Sequence, residues 1–209
     1  MRDFRLYVIT GEKFHPGRNY VEVMEEAIRG GADCIQLREK NKTKKELLEM
    51  ARRLRELTDR YAVPFIVNDH VDIALAVNAD GVHLGQDDLP LEEARRILGP
   101  DKMIGISTHK LEEALAAERT GADYIGVGPV FPTDTKEDVV DPVGIQYVDE
   151  VVRNISIPFV AIGGIKLHNV DEVLQAGAQR ICIVSAVVGA DDVRGAAQAF
   201  RNKLDVQKT

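Results

Sequence analysis

Several features that mark particular protein classes are scarce or missing in this sequence of 209 residues. Cysteine occurs only as Cys34 and Cys182, which is too few for the disulfide framework of a small secreted protein. The net charge is -7, which argues against broad nucleic-acid binding, because that needs a basic face. No apolar run reaches the length of a membrane span, and Leu6–Ile9 is too short for a signal-peptide core. These absences predict a cytoplasmic protein that binds neither nucleic acid nor membranes.

The composition that remains is that of a soluble globular protein. Hydrophobic residues make up 44% of the chain and charged residues 29%. A chain of this length can bury a substantial core, and no linker or low-complexity segment divides it. We therefore expect residues 1–209 to form a single domain.

Short apolar runs alternate with longer amphipathic segments along the whole chain. The clearest helix is predicted at Lys44–Tyr61, where apolar residues recur at helical spacing and Thr43 with Glu46 forms a capping box. The predicted strands are Leu6–Ile9, Cys34–Leu37, Pro64–Val67, Gly81–Leu84, Met103–Ile106, Tyr124–Val127, Pro158–Ile162 and Arg180–Val184. The other predicted helices are Tyr20–Arg29, Val71–Val77, Pro90–Leu98, Leu111–Arg119, Gln146–Arg153, Val170–Ala176 and Asp191–Leu204.

Eight strand–helix units predict an α/β fold, a single-domain parallel (β/α)8 TIM barrel. A pseudo-repeat supports it, because segments such as Gly121–Asp123 join a helix to the next strand, with glycine suited to the left-handed end of a helix. A doubly wound open sheet would usually carry a glycine-rich turn after its first strand, and Thr10–Phe14 is not such a turn. In the barrel, residues that follow the strands should converge on one mouth.

The second strand ends in polar residues at alternate positions. Gln36, Arg38 and Lys40 should share one side of an extended chain, while Ile35 and Leu37 point the other way. An amide, a guanidinium and an ammonium together suit an anion, with a phosphate or diphosphate as the leading candidate. The alternative is a strand end that simply reaches solvent.

Carboxylates follow the third and fourth strands. Asp69 lies in Asn68–His70 and Asp88 in Gly85–Asp88, and strands roughly 4.8 Å apart bring such ends together. Mg2+ prefers hard oxygen ligands and retains water, so two carboxylates with phosphate oxygens would suit it. Each aspartate could instead cap the helix that follows it.

Three further strand ends contain candidate ligand-binding residues. Gly163 and Gly164 after strand seven, with Ser185 after strand eight, are typical of a barrel phosphate site or of structural turns. After strand six, Thr133, Thr135 and Lys136 offer two hydroxyls and a cation in a loop that could close over a substrate or be an ordinary surface loop. After strand five, Ser107 could bind ligand, whereas His109 lacks a partner carboxylate in the local sequence and is interpreted as structural.

These motifs resemble the thiamine-phosphate synthase family, also called thiamine-phosphate pyrophosphorylase. The likeness extends from Leu6 to Ala186, and its most specific parts are Gln36–Lys40, Asn68–Asp69, Gly85–Asp88 and Pro132–Lys136. Members of this family are transferases that join a hydroxymethylpyrimidine diphosphate to a thiazole phosphate, releasing diphosphate and giving thiamine phosphate. The resemblance therefore implies two small-molecule substrates and Mg2+ as the cofactor.

The resemblance also implies a role for each matching residue. Asp69 and Asp88 would bind Mg2+. The pyrimidine diphosphate would be held by Gln36, Leu37, Arg38, Glu39, Lys40, Asn68, Ser107 and Lys136. The thiazole phosphate would be held by Thr133, Asp134, Thr135, Gly164, Val184 and Ser185. The catalytic residues would be Arg38, Lys40, Lys136 and Ser107, with the three cations neutralising charge on the leaving group.

Two positions depart from or limit this resemblance. Gly11 stands where the family is expected to carry Asp. Pro129 stands where a related thiazole tautomerase is expected to carry a catalytic histidine, which argues against a tautomerase-like paralogue. The sequence leaves two more functions open, a non-catalytic sensor of thiamine precursors and a sugar-phosphate isomerase. A sensor would have little use for a metal–diphosphate site, and an isomerase should show an acid–base pair at the mouth.

Overall fold

The computed structural model describes residues 4–133 and 141–206, and in it eight parallel strands close into a barrel in the order β1 to β8. The strands are β1 Leu6–Ile9, β2 Cys34–Leu37, β3 Phe65–Asn68, β4 Gly81–Leu84, β5 Met103–Thr108, β6 Tyr124–Val127, β7 Phe159–Ile162 and β8 Ile181–Ile183. The predicted (β/α)8 barrel is confirmed. Within the described ranges, no helix is long and apolar enough to cross a membrane.

The helices follow the strands and cover the outside of the barrel. They are α1 Tyr20–Arg29, α2 Lys44–Tyr61, α3 Val71–Ala76, α4 Leu91–Leu98, α5 Leu111–Thr120, α6 Gly144–Asn154, α7 Val170–Gln175, α8 Ser185–Val188 and α9 Val193–Val206. The predicted capping box is present at the start of α2, where Thr43 and Glu46 bond each other's backbone amides. The sequence did not predict α8 or the 3-10 turn Glu12–Phe14, because segments this short show no helical period.

Alternate strand residues face the barrel interior and the helices. On β1, Leu6 and Val8 lie in the large core between barrel and helices, whereas Tyr7 and Ile9 lie in the smaller core inside the barrel. Tyr7 is in register with Cys34 on β2 and with Cys182 on β8. Both cysteines are buried and free. The interior core therefore closes the barrel below its mouth.

The repeated helix-to-strand joints hold the opposite end of the barrel together. The four joints of the pseudo-repeat contain a residue with positive φ, Gly31, Asn78, Gly121 or Gly177, and an aspartate follows in three of them. Asp123 accepts a hydrogen bond from the Ile104 amide at 2.8 Å and pairs with Arg95. Two other aspartates accept hydrogen bonds from backbone amides at the starts of neighbouring strands in the same way. Asp33 accepts from the amides of Arg5 and Leu6, and Asp80 accepts from the amide of Phe65. These carboxylates stabilise the face away from the mouth.

Candidate active site

The carboxyl ends of the strands surround a small cavity at the barrel mouth. Of its lining residues, those that carry polar side chains include Gln36, Arg38, Asn68, His83, Ser107 and Tyr124. Because barrel enzymes place their chemistry at this end, the cavity is the candidate active site. Of the residues that the sequence indicated, Gln36, Arg38, Asn68 and Ser107 line this cavity.

Asp69 and Asp88 form a carboxylate pair at the edge of this mouth. Asp69 directly follows β3 in the left-handed conformation, with φ of 60°, and its amide donates to the His83 carbonyl at 2.9 Å. The Asp88 carboxylate accepts the Gly85 amide at 2.6 Å. Burial raises the pKa of Asp69, and the neighbouring Asp88 raises this pKa further. The fold thus holds two acids close together at an energetic cost, which is typical of a functional site.

Neither aspartate caps the helix that follows it. The residue at the N-cap of α3 is His70 and that at the N-cap of α4 is Pro90, and no side-chain hydrogen bond caps either helix. Asp69 instead faces Lys40, whose ammonium lies 3.0 Å from its carboxylate. The structure therefore removes the capping interpretation of both acids.

The cations predicted on β2 lie just beyond the end of that strand. The Arg38 backbone is fixed by an amide bond to the Thr10 hydroxyl at 2.9 Å, and the residue lines the cavity. Within residues 4–133 and 141–206 no carboxylate pairs with the Arg38 guanidinium. Lys40 is more exposed and contacts Asp69. Lys40 therefore borders the acid pair and Arg38 lines the cavity, so that both cations lie at the mouth, as the anion-site hypothesis requires.

The other residues of this segment point in different directions. Gln36 is buried inside the barrel and donates to the Tyr7 hydroxyl at 2.7 Å. The Leu37 side chain belongs to the helix-facing core, so only its backbone is available to a ligand. Glu39 turns to the loop after β1 and accepts the Glu12 amide at 3.1 Å. Glu39 therefore fixes that loop, and its predicted substrate contact stays a prediction.

The loops after β6 and β7 are joined at the far side of the mouth. The Phe131 amide donates to the Gly163 carbonyl at 3.0 Å, and Gly164 has a φ of 64°. A Cβ atom on Gly164 would lie 2.6 Å from the Pro132 carbonyl oxygen, so only glycine fits this contact. Thr133, in the loop after β6, is half-buried. Asp134, Thr135 and Lys136 lie outside the described residues.

The remaining predicted ligand residues have different settings. Asn68 and Ser107 line the cavity. Val184 is the N-cap residue of α8, which begins at Ser185, and both are half-buried. His109 donates from Nδ1 to the Gly128 carbonyl at 2.6 Å, since a carbonyl can only accept. That bond joins the β5 and β6 ends and agrees with the structural interpretation of His109.

Sequence reasoning missed three polar residues in the barrel interior. Tyr7 and Tyr124 are buried inside the barrel, and His83 bonds the hydroxyls of both Tyr124 and Ser107. A sequence pattern that could have indicated Tyr7 was present, because strand alternation places Tyr7 on the same side as the residues that face the mouth. It is a weak signal, since a tyrosine or histidine within an apolar run is usually part of the core.

Comparison with known proteins decides the family. Residues 6–187 match the family model described as thiamine monophosphate synthase. The chain belongs to the thiamine monophosphate synthase family. Thiamine-phosphate synthase from Shouchella clausii is 66% identical over 200 residues, covering 96% of each chain. The enzyme of the same name from Halalkalibacterium halodurans is 65% identical over 205 residues, covering 98% of this chain and 97% of its own.

A solved structure agrees with this assignment to the thiamine monophosphate synthase family. Thiamine phosphate pyrophosphorylase from Pyrococcus furiosus superposes with a TM-score of 0.88 at 46% identity, covering 97% of this chain and 96% of its own. The family, the fold and the transferase class expected from the sequence are confirmed. The comparisons lend no support to a tautomerase-like paralogue or to a sensor of thiamine precursors.

The donor set at the mouth fits the magnesium ion that the family resemblance implies. Asp69 and Asp88 offer hard carboxylate oxygens, and the raised pKa of Asp69 indicates a site that a cation would relieve. In the part of the chain that the structure describes, no group of three or more His, Cys, Asp or Glu side chains could hold a metal. Further ligands would then come from water and from substrate oxygens, as is usual for Mg2+.

Proposed function

We propose that this site joins hydroxymethylpyrimidine diphosphate to a thiazole phosphate, giving thiamine phosphate and releasing diphosphate. The observation that supports it most is the acid pair Asp69 and Asp88 beside Lys40, with Arg38 lining the cavity at the same mouth. Two carboxylates and two cations around one mouth match a metal-bound diphosphate. The cytoplasmic location of the protein stays a prediction from its sequence.

Asp69 and Asp88 would hold Mg2+ in this proposal. When bound, the ion would neutralise negative charge on the diphosphate oxygens. Lys40 lies at the same edge of the mouth, 3.0 Å from Asp69, and can turn from the carboxylate to a phosphate oxygen because its side chain is half-exposed. Arg38 can bind a phosphate with two parallel hydrogen bonds. The predicted catalytic residue Lys136 would add a third cation from the loop after β6.

The reaction needs no covalent nucleophile from the protein. The carbon–oxygen bond between the pyrimidine methylene and the diphosphate breaks, and its electron pair leaves with the diphosphate. The aminopyrimidine stabilises the resulting carbocation, and the thiazole nitrogen supplies the electron pair of the new bond. Arg38 and Lys40 stabilise the departing charge, while Gln36, Asn68 and Ser107 orient the pyrimidine diphosphate. Holding the two reactants in line supplies much of the acceleration.

The thiazole phosphate would bind on the opposite side of the mouth. The joined loops after β6 and β7 carry Thr133 and Gly164, and the start of α8 carries Ser185. Hydroxyls and backbone amides there suit a phosphate. Asp134, Thr135 and Val184 complete this proposed subsite.

A diphosphate-release assay tests the proposed function. The purified chain is incubated with both substrates, with each alone, and with both after Mg2+ is removed by a chelator. We expect stoichiometric release of diphosphate and formation of thiamine phosphate only when both substrates and Mg2+ are present. Tight binding of the substrates without release would overturn the synthase proposal and favour a sensor.

A further inference from the structure

A continuous chain of side-chain hydrogen bonds crosses the barrel interior below the mouth. Gln36 Nε2 donates to the Tyr7 hydroxyl at 2.7 Å, and the Tyr7 and Tyr124 hydroxyls are 3.2 Å apart. The Tyr124 hydroxyl lies 3.1 Å from His83 Nδ1. His83 Nε2 lies 2.9 Å from the Ser107 hydroxyl oxygen. The chain thus connects two predicted substrate-binding residues through three residues with no assigned role.

Two glycines make room for the rings in this chain. A Cβ atom on Gly105 would lie 2.1 Å from Tyr124 Cζ, and one on Gly126 would lie 3.2 Å from His83 Cε1. The two rings also pack against each other, with centroids 5.5 Å apart. Strands β5 and β6 therefore leave space in the barrel for a tyrosine and a histidine in fixed orientations.

One direction of donation through these side-chain hydrogen bonds begins at the Gln36 amide. Gln36 donates to Tyr7, and either hydroxyl of Tyr7 and Tyr124 can donate to the other; in the direction that leads from Gln36 to the cavity, Tyr7 donates to Tyr124. Burial raises the pKa of both phenols, so both keep their hydrogens at neutral pH. In that direction the Tyr124 hydrogen goes to His83 Nδ1, and neutral His83 carries its hydrogen on Nε2, whereas the opposite tautomer reverses both bonds. Ser107 accepts that hydrogen and keeps its own hydroxyl hydrogen for a partner in the cavity.

We propose that Tyr124 is a positioning residue that fixes the tautomer of His83, so that Ser107 presents a hydrogen-bond donor to the substrate. Tyr124 lines the cavity, but its side chain is buried and its hydroxyl is bonded to Tyr7 and His83. Ser107 is half-buried and lines the cavity. The direction of the chain makes Ser107 a donor to the oxygens or ring nitrogens of an anionic ligand. The substrate part of this inference rests on the proposed function, whereas the tautomer does not.

The first test reads the His83 tautomer in the ligand-free protein by 15N NMR of labelled histidine, with His83→Gln identifying the resonance. We expect neutral His83 to carry its hydrogen on Nε2. A hydrogen on Nδ1 would overturn the proposal, because the chain would then run in the opposite direction. This measurement needs no variant of Tyr124, so it decides even if such a variant fails to fold.

The second test compares two matched removals of a buried phenol hydroxyl. Tyr124→Phe should move His83 to a mixture of tautomers and lower kcat/KM for the pyrimidine diphosphate by about tenfold, the usual effect of one misaligned hydrogen bond. The KM for the thiazole phosphate should not change. Tyr147→Phe is the control. Tyr147 is also buried, and its hydroxyl donates to that of Thr108, the residue after Ser107, at 2.8 Å, but Tyr147 does not line the cavity.

The outcomes separate this inference from the proposed function. An unchanged tautomer in Tyr124→Phe, or a loss of kcat/KM no larger than that of Tyr147→Phe, would overturn the positioning role. Absence of turnover by the unaltered chain would overturn the proposed function instead. The tautomer result in the ligand-free protein would still stand in that case.

Discussion

Replacing Asp69 by Asn should stabilise the metal-free protein and abolish its stabilisation by Mg2+. The substitution removes one charge and keeps the size of the side chain. Asn is also one of the residues that tolerate the left-handed conformation, which Asp69 adopts with a φ of 60°. Ala at this position would add backbone strain and obscure the electrostatic effect.

The size of the effect follows from the charges around Asp69. Two unit charges about 4 Å apart interact by about 4 kcal/mol at the effective permittivity of a site near a protein surface. Lys40, 3.0 Å away, offsets much of the repulsion from Asp88, and removing this half-exposed ion pair costs at most about 1 kcal/mol. The repulsion from Asp88 and the attraction to Lys40 largely cancel, and the variant should gain about 1 kcal/mol, or about 2–4 °C in Tm, mainly because the charge of Asp69 is no longer buried.

With Mg2+ present, the unaltered protein should be more stable than Asp69→Asn. A ligand at one hundred times its Kd stabilises the folded state by about 2.7 kcal/mol, or about 5–10 °C for a chain of this size. Thermal unfolding with and without Mg2+ measures both effects. Asp87→Asn is the matched control, because Asp87 is exposed in the same loop as Asp88. An equal Mg2+ response in Asp69→Asn and in the unaltered chain would refute the metal assignment.

Three further predictions follow from the described contacts. Lys40→Ala should lower kcat by tenfold or more in the diphosphate-release assay, whereas Lys44→Ala, on the exposed start of α2, should have no effect. Burial raises the pKa of Glu39, so the folded protein holds a proton that the unfolded chain has already lost. The free energy of unfolding should therefore fall as the pH rises from the ordinary pKa of glutamate towards this raised pKa. Glu39→Gln should flatten this pH dependence, measured by urea unfolding. Gly105→Ala should cost at least about 1–3 kcal/mol of folding free energy in the same unfolding assay, because its Cβ would lie 2.1 Å from the Tyr124 ring.

Much of the fold could be predicted from the sequence, because short apolar runs typical of strands alternate with segments in which apolar residues recur at helical spacing. The bounds of β1, β2, β4, β6, α1 and α2 match the prediction to the residue. The predicted strand Arg180–Val184 was too long, since the observed β8 is Ile181–Ile183 and Val184 is the N-cap residue of α8. A small error at a strand end is expected where a short helix follows directly, because no turn residue marks the change.

The candidate site was predicted less completely than the fold. Strand alternation and the barrel rule correctly brought Arg38, Asn68 and Ser107 to one cavity. They could not show that Glu39 turns away to the loop after β1, because residues beyond a strand end need not keep its alternation. Nor could they show the chain through Tyr124, since hydrogen bonds between strands distant in sequence leave no local pattern.

The central claim is that Asp69 and Asp88 together hold a divalent cation at the barrel mouth. Binding of Mn2+, followed by electron paramagnetic resonance in the presence of the pyrimidine diphosphate, tests it most directly. We expect one ion per chain in the unaltered protein and in Asp87→Asn, and none at the same concentrations in Asp69→Asn or Asp88→Asn. Unchanged Mn2+ binding in both of the last two variants would contradict the claim.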